Sequence, residues 1–223
     1  MGASPLKIKA LIKALASAKP PGLFNPWAQH SGDDLFAEAH LLRQRRLFQH
    51  WSAPEPRLVL IGEAAGYQGC RYSGMPFTSE RLILEGKIPR IEAGLAVRIS
   101  SRNRPWSEPS ATIVWNTLDG LGVAESTVLF NAVPWHPEGK KGPASNRTPT
   151  AAEKAVGAPY LKQFISLFPN LPVAALGNIA SDTLRALKIS HTKVRHPAYG
   201  GAAKFREGLV TLMNHPSQGN GVQ

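Results

Sequence analysis

Three short stretches of this chain carry side chains able to hold and transform a flat polar ligand. LVLIGEAAGYQGCRYSGMPF (58–77) contains Glu63 and Phe77, NAVPWHP (131–137) opens on Asn131, and RHPAYGG (195–201) contains His196. By type, Glu63 can orient or activate a water, and His196 can donate a hydrogen bond. Asn131 offers a donor and an acceptor side by side, and Phe77 offers a ring to stack on. Each also has a plainer role open to it. Glu63 could order loops through backbone amides, His196 could be satisfied by its own backbone, Asn131 could serve a turn, and Phe77 could be core. Gly62 and Ala64 are small enough for backbone to approach a ligand closely. Metal-ligand pairs are thin: His136 and Glu138 stand two apart, His191 and His196 five apart, and neither spacing is diagnostic. No metal is expected.

The elements that must position these groups can be read from the apolar pattern. Four short apolar runs, Leu58–Ile61, Val128–Phe130, Val173–Leu176 and the weaker Thr192–Val194, predict strands. The first three are near-continuous aliphatics, as strands covered on both faces are. Helical spacing fills the segments between and around them: Ser31–Trp51, Ser110–Leu121, Thr150–Phe168, Asn178–Leu187 and Ala202–Met213. Thr150 and Glu153 have the spacing of a capping box. Alternating strands and helices predict an α/β class, a three-layer α/β/α sandwich around a mostly parallel four-stranded sheet. Ligands in such folds bind beyond the carboxyl ends of the strands. The loops that follow the first, second and fourth strands, 62–77, 131–148 and 195–201, are the polar, Gly- and Pro-rich ones.

A length of 223 residues with 43 % hydrophobic content suits a single α/β domain, residues 1–223. The basic stretch 1–30 is expected to form an N-terminal arm or short helix, with a flexible tail at 214–223. Lysines break its apolar run, so it does not read as a signal peptide, and no run is long enough to cross a membrane. A cytoplasmic, monomeric protein is expected. Cys70 is the sole cysteine, which excludes an intramolecular disulfide and any four-thiolate site. Twenty-six Lys and Arg against 15 Asp and Glu give a net charge of +11, favouring a polyanion, most simply nucleic acid, as partner.

Set side by side, the loop motifs resemble the uracil-DNA glycosylase superfamily. GEAAG (62–66) is similar to the GEAPG of the branch that carries an iron–sulfur cluster, and GMPF (74–77) to its Gly-x-Pro-Phe. NAVPWHP with SNRTPT (145–150) resembles the Asn-led strand end and its Asn-Arg-x-Pro loop, and RHPAYGG the His-Pro motif. The likeness runs from about residue 57 to 206, and GEAAGYQGCRYSGMPFTSE as a unit resembles a group of bacterial uracil-DNA glycosylases more closely than the clustered branch. Three departures stand out. Cys70 alone cannot bind a cluster, so no cofactor is expected. The slot that holds a water-orienting aspartate in the GQDPYH branch is Ala64 here, with an acid one position earlier at Glu63. No histidine-rich trapping loop occurs at 138–147. His215-Pro216-Ser217 imitates the His-Pro motif, but it follows a predicted helix and is set aside.

The resemblance implies a monofunctional enzyme of base excision repair that flips uracil out of DNA, hydrolyses its N-glycosidic bond and leaves an abasic site. It implies that His196 donates to uracil O2, that Asn131 reads N3–H and O4, and that Phe77 stacks on the base. Glu63 then handles water or orders the site. Tyr67 or Gln68 would crowd the base C5 position and exclude thymine. Tyr199 with Gly200-Gly201 would fill the vacated stack. Lys140, Lys141, Arg147, Arg195, Lys204 and Arg206 would neutralise phosphates. Two other readings stay open: a non-catalytic reader of uracil or a damaged base, kept alive by Ala64, and a glycosylase for another deaminated base.

Overall fold

The computed structural model describes residues 2–214; the expected flexible tail and His215 lie, from residue 215 on, outside the described residues. In chain order the elements are α1 (Pro5–Ser17), β1 (Leu23–Phe24), α2 (Ala39–Trp51), β2 (Leu58–Ala64), α3 (Cys70–Ser73), α4 (Glu80–Leu84), α5 (Pro109–Gly120) and β3 (Thr127–Val133). They continue with β4 (His136–Gly139), β5 (Gly142–Asn146), α6 (Ala151–Leu167), β6 (Val173–Leu176), α7 (Gly177–Ala186), β7 (Thr192–Val194) and α8 (Ala202–Asn214).

All four predicted strands form, and they pair in the order β3-β2-β6-β7 with every neighbour parallel. Period-two alternation divides the core between the two faces of this sheet. Val59, Ile61, Val128 and Phe130 pack with Trp51, Leu161, Phe164 and Leu184 of α2, α6 and α7, and with Ile8, Leu11 and Leu15 of α1. Leu58, Leu60, Leu129 and Leu176 pack with Val114, Leu118, Phe205 and Leu209 of α5 and α8. The result is the expected α/β/α sandwich.

Of the arm or short helix expected at the N-terminus, the helix forms, and α1 buries Ile8, Leu11, Ile12 and Leu15 against the sandwich. The predicted helix over Ser31–Trp51 begins only at Ala39. In the segment before it, Ser31 N–H donates to Asp34 Oδ2 at 2.8 Å, a local side-chain turn that competes with helix. A second, three-stranded sheet, β1-β4-β5, also forms beyond the main sheet, its β4–β5 hairpin turning at Lys140-Lys141.

The edge of β3 is closed by α2. His50 Nε2 accepts from Leu129 N–H at 2.8 Å and Trp51 Nε1–H donates to Leu129 O at 3.1 Å. Both backbone groups of one edge residue are thereby satisfied, which blunts an edge otherwise open to pairing. The capping box of α6 is present as spaced: Glu153 N–H donates to Thr150 Oγ1 at 3.2 Å, and Thr150 N–H to Glu153 Oε2 at 2.8 Å.

Candidate active site

Parallel register sets the centre of the site. Gly62 of β2 pairs with Asn131 of β3 and Ala64 with Val133, so Gly62 and Asn131 share a face at the carboxyl ends of two adjacent strands. That face is the one covered by α5 and α8. A Cβ on Gly62 would run into the Phe77 ring and come within 2.6 Å of Asn131 Oδ1. Glycine at 62 is therefore the residue that lets ring and amide meet.

Phe77 reaches this point from a tightly anchored turn. Its backbone adopts φ +48°, uncommon for a bulky residue and held only where surroundings dictate it. Around it, Thr78 Oγ1 donates to Pro76 O at 2.9 Å and receives Trp115 Nε1–H at 3.0 Å. Ser73 Oγ and Met75 exchange two hydrogen bonds across Gly74, and Trp27 Nε1–H donates to Gly74 O at 3.0 Å. Gly74 sits at φ +79°, with Arg43 so close that a Cβ would strike its Cα at 2.7 Å. Arg43 is itself buried, paired with Asp34 and donating through Nε to Tyr72 O at 3.1 Å.

The fourth strand brings the imidazole. The His196 and Phe77 ring centroids lie 6.2 Å apart at 44°. Gly177, at the end of β6 with φ +82°, would place a Cβ 3.5 Å from His196 Cβ. Ala198 N–H donates to His196 Nδ1 at 3.2 Å, which makes Nδ1 the acceptor and leaves the proton on Nε2. Burial lowers the imidazole pKa and the neighbouring Arg195 charge lowers it further, so the neutral donor form dominates at pH 7. Asn131 is 2 % exposed, and its side-chain amide makes no hydrogen bond among the described residues. A buried amide without a protein partner is a binding group in waiting.

Glu63 lies one residue on and points the other way. Strand alternation sets its side chain on the Val59–Ile61 face, across the sheet from Phe77, where burial raises its carboxyl pKa against the opposing pull of Lys154 on α6. Its carboxylate makes no hydrogen bond among the described residues. The loop that follows is tied instead by a residue considered in the sequence only as a metal ligand. His136 Nδ1–H donates to Ala65 O at 2.8 Å, while His136 Nε2 is fully buried and unpartnered. Desolvation pushes that imidazole down to about 4. Tyr67 N–H donates to Asn146 Oδ1 at 2.9 Å, and the Tyr67 ring meets Trp106 edge-on at 5.6 Å.

The sequence reading missed Glu108. This residue precedes α5, and its carboxyl abuts the first loop, 3.4 Å from where a Gly66 Cβ would stand and overlapping that of Gly69. Burial alone lifts it to about 7. No motif marks it, and only its place before Pro109 at a helix start could have drawn notice.

A protein-family model matches residues 49–221, and its description is the uracil DNA glycosylase superfamily. The chain belongs to the uracil DNA glycosylase superfamily. It is thus a member of a family of DNA-acting hydrolases that break glycosidic bonds in base excision repair. Among solved structures it is similar to wild-type SMUG2 of Pedobacter heparinus, at 18 % identity with a TM-score of 0.67. That match covers 97 % of this chain and 99 % of the other, and it shows a shared fold. No curated protein matches.

The remaining candidates of this superfamily member lie on separate elements. Lys140 and Lys141 are exposed in the β4–β5 turn, Arg195 is exposed beside His196, and Lys204 is exposed on the first turn of α8. Tyr199 stands 98 % exposed at φ +53° in the His196 loop. Arg147 is already engaged: its guanidinium binds Glu153 through two bonds of 2.6 and 2.7 Å, and this holds the Glu153 carboxyl down to about 2. Arg206 points toward Gly120 at the far end of α5, its Nη1 within 3.5 Å of where a Cβ would be. Cys70 is buried, which pushes its thiol pKa up and makes it inert. No described helix is long and apolar enough to cross a membrane.

Proposed function

We propose that this protein is a monofunctional uracil-DNA glycosylase, acting as a monomer on an extruded uracil. The observation that carries this reading is the meeting of the Asn131 amide, the Phe77 ring and the neutral His196 imidazole around Gly62 in a chain of that superfamily.

The chemistry follows from what each group offers. Reaction at the base–sugar bond requires the nucleotide to leave the stack. Phe77 stacks on the extruded ring, a contact of about 1–3 kcal/mol. Asn131 accepts from uracil N3–H and donates to O4. Cytosine presents the opposite pair, so the same amide disfavours it by about 1–3 kcal/mol. As the C1′–N1 bond breaks, its electron pair leaves with the base and charge grows on O2. His196 Nε2–H donates to that oxygen, and donation from a desolvated neutral imidazole stabilises the departing anion. Water oxygen then bonds C1′ and gives its proton to solvent.

Glu63, on the α6 face across the sheet from the Phe77 ring, stands apart from the reacting bond. The lysine next to it, Lys154, belongs to the α6 face and not to the Phe77 face. An amine nucleophile is therefore missing from the cluster, and hydrolysis without strand cleavage follows. Tyr67, beside Gly66, excludes the thymine methyl.

The test is alkali-revealed cleavage of labelled oligonucleotides bearing one uracil, xanthine, hypoxanthine or thymine. Cleavage at uracil only after alkali, with free uracil recovered, is the expected result. Cleavage confined to xanthine or hypoxanthine would replace uracil as the substrate. Tight binding of uracil-containing DNA without release by folded protein would make the chain a reader.

A further inference from the structure

The chain between α4 and α5 carries a basic loop that no motif marked. Its tip, Ser101-Arg102-Asn103-Arg104, is exposed throughout. Both ends of the tip are pinned to one fully buried carboxylate. Glu80 accepts from Ile99 N–H and Ser100 N–H at 2.7 Å, from Ser100 Oγ at 2.5 Å and from Trp106 N–H at 3.3 Å. Ser101 N–H donates to Asp33 O at 2.8 Å. The loop is thus an exposed tip on a rigid base, the arrangement expected of a presented binding element.

An aromatic path joins this tip to the candidate active site. The Arg102 guanidinium lies 3.8 Å over the Trp106 ring. Trp106 stacks on Tyr72 at 4.9 Å and meets Tyr67 edge-on at 5.6 Å, and Tyr67 is in the loop that follows β2. An arginine resting on an aromatic face keeps its forked donors outward at reduced entropy cost. The acids nearby are occupied. Asp33 Oδ2 accepts from Tyr72 O–H at 2.7 Å, Asp34 is paired with Arg43, and Glu80 is saturated by the loop itself with Arg98 at 4.0 Å. The Glu108 carboxyl, set against Gly66 and Gly69, is held up to about 7 by burial. Arg102 and Arg104 make no ion pair among the described residues.

We propose that the Ser101–Trp106 loop is a second nucleic-acid contact. Arg102 and Arg104 take backbone phosphates of the strand bearing the extruded nucleotide, on the side of the candidate site where Tyr67 stands. The contact is separate from the basic residues of the His196 loop, and it rests on the glycosylase reading only for which nucleotide is extruded.

Binding of a fluorescein-labelled single-stranded oligonucleotide lacking uracil, read by anisotropy from 50 to 200 mM salt, tests it. Wild type is compared with Arg102→Ala/Arg104→Ala, with Arg104→Gln alone, and with Lys162→Ala as a control on exposed α6 surface. Two lost phosphate contacts on a single strand lower the salt slope by about 1.4, so the double variant's deficit shrinks about 7-fold across that range. Arg104→Gln, at an exposed position, takes about half of that change in slope. Lys162→Ala is expected to match wild type. Wild-type salt slopes in both arginine variants would overturn the proposal. A reduced slope in a protein that releases no uracil would leave this contact standing and remove the glycosylase reading instead.

Discussion

The two walls of the candidate site are built to different standards. The Phe77 wall is clamped: Trp27, Arg43, Ser73 and Trp115 each hydrogen-bond into the 72–78 turn, and both Gly74 and Phe77 are held at positive φ. The His196 wall hangs on the Ala198 N–H bond to Nδ1 and the Gly201 N–H bond to Ala198 O, and the residue after Ala198, Tyr199, stands almost free in solvent. A clamped wall pre-organises binding, because the geometry is settled before the ligand arrives. A loosely held wall can close on the ligand and carry the group that acts as charge develops. Substitutions on the two sides should therefore separate stability from turnover.

The largest effect is expected where the walls meet. Gly62→Ala drives a methyl into the Phe77 ring and the Asn131 amide, and displacement of that order costs about 100-fold or more in rate. Single-turnover base release checks it, and the melting temperature should fall as well, because the clamped Phe77 ring must shift to admit the methyl. Next comes a stability contrast. Thr78→Val leaves the buried Trp115 N–H unpaired and should cost about 1–3 kcal/mol by denaturant unfolding. Tyr199→Ala should leave unfolding unchanged while weakening action on duplex DNA. If Tyr199→Ala destabilised as much as Thr78→Val, the contrast between the walls would fail.

A smaller effect concerns pH. His136 titrates near 4 in the folded protein, and burial also lowers His50, so the unfolded chain takes up these protons first as pH falls below about 6.5. Stability should then decline from about pH 6.5 toward 4, followed by thermal melts, and the slope should flatten in His136→Gln. Glu108 works in the opposite sense and is expected to be the smallest. Its raised carboxyl pKa means that folding loses stability as pH rises through about 7. Glu108→Gln should raise the melting temperature at pH 8 and leave it unchanged at pH 5.

Much of this was legible in the sequence, for identifiable reasons. Short apolar runs give buried parallel strands, and Leu58–Ile61, Val128–Phe130, Val173–Leu176 and the weaker Thr192–Val194 all became strands of one parallel sheet. The Thr150–Glu153 spacing became a capping box. Loops that follow strands in sequence converge in space, so the Gly62, Phe77, Asn131 and His196 motifs met as their order implied. What stayed hidden depends on contacts between distant segments. Nothing local marks Glu80 as the anchor of a loop twenty residues on, or His136 as the tie for Ala65 O. Arg147 reads as a free cation until Glu153 is seen to hold it. The basic tip at 101–104 has no periodicity to declare it, and Glu108 gains its raised pKa only from the burial that packing against Gly66 and Gly69 brings.

The most direct single measurement is uracil release under single-turnover conditions, with uracil-DNA binding measured alongside, for wild type, Phe77→Ala and His196→Ala. Wild type should release free uracil and leave an intact abasic strand. Loss of the His196 donor should slow release by about 100- to 1,000-fold with binding and melting temperature nearly unchanged. Phe77→Ala should weaken binding, by the equivalent of about 1–3 kcal/mol of lost stacking, and also lower the melting temperature. Release at the wild-type rate by His196→Ala, or unaltered binding by Phe77→Ala, would contradict the division of labour between the two walls.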